Sequence, residues 1–491
     1  MPISEAERRE HERKTAVTAA VLIYALALTA RLLPVFVHPS LNYPDEIFQS
    51  TEQAHRLVYG TGLVPWEFAY GTRSWFLPGL LAGLMEVTRL FGSGPAIYLP
   101  AIGMALAALG ASSALCAFLW GRRFYGLWGG VLAGAFTALW IDLDYFGPRA
   151  LSEVVAAHVL VIGLYLMAPG GPVSDKRRLM LAGLLLGLSA MLRIQLAPAV
   201  ALIALWPAGA WRRNLAPLTL GGFAAFLLFG LLDWATWSYP WESLYRNVAL
   251  NLFYDISGFW GTEPWYAYID LLVGYWTVPF AILVLVLARF GAYREQRIAL
   301  AALMIFAVHS AIGHKEWRFI YPAILLTVIS AGIGAAFLLD RLGRNSRPVL
   351  LAVPALVAMA LIPVVLLKTP HYRELFTRDD AVMQASVEVS KLGNVCGIEL
   401  LGVPWWWSGG YSLMHQNAPL YWLEGGTDFA AHQDAFNTVI AAGDVPAPFE
   451  KKTCYGAVCV AQRAGACAPW PMQAPAGPTG IPASMAPELK G

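Results

Sequence analysis

The stretch RKTAVTAAVLIYALALTARLLPVFVHPSLNYPDE, residues 13–46, decides how this chain is read. It starts in a basic segment holding Arg8, Arg9, Arg13 and Lys14, crosses an apolar run from Thr15 to Val37, and reaches the acidic pair Asp45–Glu46. About 20 apolar residues suffice for a helix to cross a bilayer. The run has no small-residue cleavage site and exceeds a signal-peptide core. It therefore predicts an uncleaved spanning helix behind a cytoplasmic N-terminus, residues 1–14.

The rest of the chain has the same character. Of its 491 residues, 57% are hydrophobic and 13% charged, with a mean hydropathy of +0.54; soluble proteins carry about 25% charged residues. That excludes a soluble enzyme, a disordered chain, a collagen and a coiled coil. A net charge of +2 excludes a nucleic-acid binder. Further apolar runs near 95–120, 124–141, 150–168, 178–192, 194–208, 215–237, 266–288, 297–313, 318–339 and 348–367 bring the expected spans to eleven. The expectation is an all-α polytopic membrane protein with a transmembrane body over 15–367. Residues 74–91 are apolar but carry Glu86 and Arg89, and predict an amphipathic helix lying on the membrane. With this layout half of the 34 Lys and Arg residues fall in segments facing the cytoplasm, as the positive-inside rule requires.

Residues 368–467 are less apolar and rich in Gly and Pro, and hold Cys396, Cys454, Cys459 and Cys467. An even number of cysteines on the outer side predicts disulfides in an extracytoplasmic C-terminal region. Cys116 sits in an apolar run and reads as packing. No His pair accompanies the cysteines, which argues against zinc. Trp405, Trp406 and Trp407 read as a packed hydrophobic corner before a membrane or glycan contact. Residues 468–491 predict a disordered tail.

The scarce ionisable groups collect on the expected outer face, where burial makes them functional candidates. In the first outer loop, 38–94, Pro44, Asp45 and Glu46 precede a helical pattern, Ile47 to Tyr59, stopped by Gly60, so simple capping competes with function for Asp45. Glu67 and Arg73 follow among aromatics. Asp142, Asp144 and Arg149 occupy the next loop, with Glu153 beyond. The long loop 238–265 carries Glu242, Arg246, Asp255 and Glu263. His314, Lys315, Glu316 and Arg318 form a compact turn, for which lipid-headgroup anchoring is the competing reading. Acidic and basic groups together suit transfer of a sugar from a lipid phosphate: cations stabilise the departing phosphate, and a carboxylate takes the acceptor's proton. A lipid-linked donor needs no nucleotide fold, and no Walker or zincin motif is present. A transporter or flippase for a lipid-linked saccharide is the alternative, though transporters place their charges near the midplane and show repeated halves. A non-catalytic assembly subunit is a third reading.

At these residues the chain resembles glycosyltransferase family 22, the mannosyltransferases of GPI-anchor and dolichol-linked glycan assembly, with the GT-C fold. The family's H-P-D-E-like motif corresponds to Tyr43-Pro44-Asp45-Glu46, with Tyr43 where His is usual. Its second motif is similar to Trp66-Glu67-Phe68-Ala69-Tyr70-Gly71-Thr72-Arg73-Ser74, and its third to His314-Lys315-Glu316-Trp317-Arg318-Phe319. The region after 368 has no counterpart in this comparison. The resemblance implies inverting transfer of a sugar, mannose above others, from a polyprenyl-phosphate donor to a glycan or glycolipid acceptor at the extracytoplasmic face; the short length and the absence of an ER-retrieval ending favour a bacterial inner membrane. Asp45 would be the base with Glu46 beside it. His314, Lys315 and Arg318 would hold the donor phosphate, and Glu67, Arg73, Asp142, Asp144 and Arg149 would contact sugar or acceptor. Asp45, Glu46, Asp142 and Asp144 have the oxygen chemistry for Mg²⁺ or Mn²⁺, but the cationic set makes metal unnecessary, and no cofactor is expected.

Overall fold

The computed structural model describes residues 4–37, 40–167, 176–206, 211–343, 348–423, 426–471, 475 and 477–481. Most of the 468–491 tail lies outside these residues. The chain forms two compact units, one of residues 1–33, 104–241 and 257–373, the other of 34–103, 242–256 and 374–491.

Five helices are long and apolar enough to cross a membrane: Glu5–Phe36, Pro95–Ala138, Asn214–Thr236, Ala267–Ala292 and Trp317–Gly343. The bent pair Leu350–Leu366 and Pro370–Val389 makes a sixth if counted as one span. The remaining expected segments are helical but shorter, among them Ser152–Met167, Lys176–Leu192, Ile194–Leu205 and Gln296–Ala311. The protein is thus the expected multi-pass helical membrane protein, with fewer full-length helices than eleven.

Local sequence explains the breaks. The expected spans 95–120 and 124–141 run together as Pro95–Ala138, interrupted at Tyr125 (φ −138°) and Gly126 (φ 70°). Only glycine adopts such a positive φ cheaply. The two arms meet at glycine surfaces: a Cβ on Gly130 would lie 2.9 Å from the Phe118 carbonyl oxygen. Lys176–Leu192 ends at Arg193, which is extended (φ −143°, ψ 99°), and Pro198 opens the next helix, Ala197–Leu205, where a missing amide costs nothing. The helix Ala267–Ala292 is broken at Thr277 (φ 58°), two residues before Pro279.

Phe76–Thr88 is the predicted amphipathic helix. Leu77, Leu81 and Met85 are buried, while Leu80 and Val87 are exposed near the Glu86–Arg89 pair.

The second unit contains strands the sequence reading did not foresee. β1 (Ile398–Leu401), β2 (Leu420–Tyr421), β3 (Thr438–Ala442), β4 (Glu450–Tyr455) and β5 (Val458–Gln462) form one sheet in the order β2-β1-β3-β5-β4. β1 is parallel to β2 and β3, and β5 is antiparallel to β3 and β4. The four cysteines pair as Cys396–Cys467 and Cys454–Cys459. The second bridge links residues directly opposite in the β4–β5 hairpin, while Cys116 is buried and free. Leu41, Ile47, Phe48 and Leu63 of the first loop share a core with Ile398, Leu400, Leu413 and Val460. Trp405 is buried in that core and Trp406 is exposed.

Candidate active site

Several of the charged residues singled out above come together within each unit. In the second unit, the amides of Ile47 and Phe48 bond the Pro44 carbonyl, so the chain turns into a helix directly after Asp45–Glu46. It runs as a wide turn, Ile47–Thr51, then Glu52–Tyr59, and stops at Gly60 (φ 79°), as predicted. Asp45 is half-buried and Glu46 buried; the Glu46 side chain makes no capping hydrogen bond.

Glu67 enters the same neighbourhood from the short helix Trp66–Ala69. Gln49 Nε2 donates to its Oε1 at 2.7 Å. Burial pushes the Glu67 carboxyl up to about 7; the Asp45 charge adds to this, and Arg73 opposes it. Asp45, Glu67 and Arg73 therefore feel one another, as two carboxylates and a cation sharing a site must. Arg73 is held on the turn Gly71–Ser74, where the Thr72 amide bonds the Glu67 carbonyl at 2.7 Å.

Gly71 has φ 63°, and a Cβ there would lie 3.3 Å from Arg246 Cδ. Arg246 pairs with buried Glu242 at 2.7 Å, and Asn247 donates to the Thr72 carbonyl at 3.4 Å. Sequence reasoning named Glu242 and Arg246 without a role. Their i,i+4 spacing on a helix was the available signal, but their approach to Gly71 crosses some 170 residues and is tertiary.

In the first unit, the turn His314–Phe319 carries the second cluster. Arg318 donates through Nε to Glu316 Oε2 at 2.7 Å and through Nη2 to Oε1 at 3.1 Å, a bidentate pair. Its Nη1 reaches Glu153 at 3.2 Å, and Glu153 lies 3.8 Å from Arg193. The guanidinium groups of Arg193 and Arg318 both lie over the Phe319 ring, at 5.2 and 4.8 Å. Arg193 was not chosen from sequence as a site residue; the break it makes between two short helices was the visible sign.

His314 bonds Glu316 Oε1 at 3.1 Å and the Gly261 carbonyl at 3.0 Å. Burial works against its charged form, but the Glu316 and Gly261 acceptors outweigh burial and raise its pKa above the usual 6.5. Burial alone would raise the Glu316 carboxyl, yet Arg318 and His314 together hold it well below the carboxylate range. Lys315 donates to the Ser310 carbonyl at 3.0 Å and to that of Ile312.

Asp142 is fully buried and accepts the indole N–H groups of Trp140, Trp276 and Trp317 at 2.8, 2.7 and 2.9 Å. Asp144 faces Arg31 at 3.4 Å. Arg149 lies over the Tyr145 ring at 4.4 Å. Among the described residues no group of three or more His, Cys, Asp or Glu side chains is arranged to hold a metal ion.

Buried, paired charges at the ends of apolar helices, on a fold of this topology, define a multi-pass membrane protein of the GT-C class. Two solved structures share the fold. ArnT from Cupriavidus metallidurans bound to undecaprenyl phosphate superposes with a TM-score of 0.61 at 14% identity, over 92% of this chain and 99% of that one. The Archaeoglobus fulgidus oligosaccharyltransferase in complex with Zn and sulfate superposes with a TM-score of 0.50 at 13% identity, over 82% and 62%.

The chain belongs to the Alg9-like mannosyltransferase family, whose profile matches residues 22–415. It is 29% identical over 322 residues to GPI mannosyltransferase 3 of Drosophila melanogaster, covering 62% of this chain and 54% of that one. It is 30% identical over 305 residues to GPI mannosyltransferase 3 of Yarrowia lipolytica, covering 59% and 57%, and 26% identical over 340 residues to GPI alpha-1,2-mannosyltransferase 3 of Mus musculus, covering 65% and 59%. The matches thus span less than two thirds of these relatives. The three motif segments, 43–49, 66–74 and 314–319, all lie inside the matched range.

Proposed function

We propose that this protein transfers mannose from a polyprenyl-phosphate donor to a glycan or lipid-linked acceptor at the extracytoplasmic membrane face, with inversion at the anomeric carbon. The observation that carries the proposal is the buried cationic turn His314–Phe319, with bidentate Arg318 and a histidine biased toward its charged form, in a chain of a mannosyltransferase family. An Arg fork matches phosphate oxygens as it matches a carboxylate. The structural neighbour ArnT, bound to undecaprenyl phosphate, supports this class of donor, and the paired cysteines support an oxidising compartment.

In the proposed reaction Asp45 takes the proton of the acceptor hydroxyl as its oxygen bonds the anomeric carbon. The bond from that carbon to the phosphate oxygen breaks, and the electron pair leaves on the polyprenyl phosphate. His314, Lys315 and Arg318 stabilise the growing phosphate charge, with Arg193 added to that set. Glu46, Glu67 and Arg73 tune Asp45 and orient the acceptor, and Glu242 with Arg246 supports the Gly71–Ser74 turn. Asp144 and Arg149 serve sugar binding through the loop they share. No divalent ion is required in this scheme, because the cations meet the phosphate directly.

The test is incubation of purified protein with a panel of polyprenyl-phospho-sugars, with and without chelator. Mannose release or transfer, unchanged by chelation, is the expected result. No consumption of any polyprenyl-phospho-sugar would reject the donor class, and loss of turnover on chelation would reject metal independence.

A further inference from the structure

Asp142 is a buried carboxylate on which three indole N–H groups converge, with the Tyr372 hydroxyl as a further hydrogen-bond partner. Oδ2 accepts from Trp140 and Trp276, and Oδ1 accepts from Trp317. Indole is a donor only, so each of these bonds needs an acceptor in that place. Trp317 is itself buried, and its ring stacks on Tyr275 with centroids 4.6 Å apart and planes within 5°. It is thus fixed on its face by Tyr275 and at its N–H by Asp142. It is also the first residue of the turn Trp317–Ile320, directly between Glu316 and Arg318. Pinning the side chain at position 317 limits how the flanking backbone can rotate, and so where the neighbouring carboxylate and guanidinium point.

We propose that Asp142 is a positioning residue for the donor-phosphate turn, acting through the Trp317 indole and not through contact with sugar, acceptor or metal. The proposal builds on the donor-phosphate reading of His314–Phe319 given above. It separates Asp142 from Asp144, whose carboxylate faces Arg31.

The experiment is a double-mutant cycle on the full-length protein, with KM for donor and for acceptor measured separately. Asp142→Asn keeps the volume but replaces one acceptor oxygen by a donor. Trp317→Phe keeps the ring stack and removes the N–H, leaving the carboxylate its other donors, Trp140 and Trp276 among them. Each single change is expected to raise donor KM by about tenfold or more, the scale of one lost hydrogen bond to a charged group. Acceptor KM should stay unchanged, and the double variant should be little worse than either single one. Trp140→Phe removes a donor from the same carboxylate without touching the turn, and should leave donor KM within about twofold.

Multiplying effects in the double variant, or an Asp142→Asn defect that Trp317→Phe does not share, would overturn the positioning role. If Asp142→Asn does not yield folded protein, a normal donor KM in Trp317→Phe would overturn it equally. Non-additive effects on acceptor KM would instead confirm the link between Asp142 and the turn while rejecting the donor reading of that turn. The two failures are therefore distinguishable.

Discussion

Asp45 is half-buried, and the Glu67 carboxyl nearby is pushed up by burial and by the Asp45 charge. Asp45→Asn keeps the shape and removes the base. It should lower kcat by about 10²–10⁴-fold, the usual worth of a positioned general base, with the protein still monodisperse in detergent; near-normal turnover would exclude Asp45 as the base. His314 makes a second residue-scale prediction. Its folded pKa lies above 6.5, so the cationic form is full below that value and is lost as pH rises through the raised one. Donor affinity should therefore fall as pH rises above 6.5 and through the raised value. His314→Gln should bind donor more weakly at low pH and flatten that limb. An unchanged pH profile in the variant would assign the limb to another group.

At the scale of elements, Glu52 shows how the first loop is held. This fully buried carboxylate accepts the backbone N–H groups of Leu63 at 2.8 Å, Tyr411 at 3.0 Å and Ser412 at 2.7 Å. It thereby ties the helix Glu52–Tyr59 to the short helix Gly410–Met414. Removing it strands three buried donors, each worth about 1–3 kcal/mol. Glu52→Ala should lower the detergent melting temperature clearly more than Glu52→Gln, which keeps one acceptor oxygen; equal melting would mean water replaces the carboxylate. Gly410 has φ 62°, and a Cβ there would lie 2.7 Å from the Glu52 carboxylate. The helix over 47–59 and its stop at Gly60 were legible from sequence, because Pro, the acidic first turn and Gly act within a few residues. The strands after 398 were not. They are short, and β1 and β3 are buried on both faces, so they carry no alternation to read.

At the scale of the molecule, the two disulfides should differ in worth. Cys396–Cys467 closes a separation of 71 residues and Cys454–Cys459 one of 5. Loop-closure entropy gives about 4 kcal/mol for the first and about 2 kcal/mol for the second. Cys396→Ser should therefore lower the melting temperature more than Cys454→Ser, and the reverse order would show that local hairpin packing dominates.

Composition and hydropathy alone made this a polytopic helical membrane protein, because the bilayer penalises unpaired polar backbone so strongly that apolar length is almost sufficient to read it. Motif spacing alone picked out Asp45, Glu67, Arg73 and the His314–Arg318 turn, since each motif is local. Tertiary structure decided the rest: that Gly71 lies under Arg246, that Glu153 links Arg193 to Arg318, and that Asp142 spends its oxygens on three indoles. Trp140 apart, those partners are separated by tens to hundreds of residues, and contacts between them depend on how the helices pack, which no local pattern encodes.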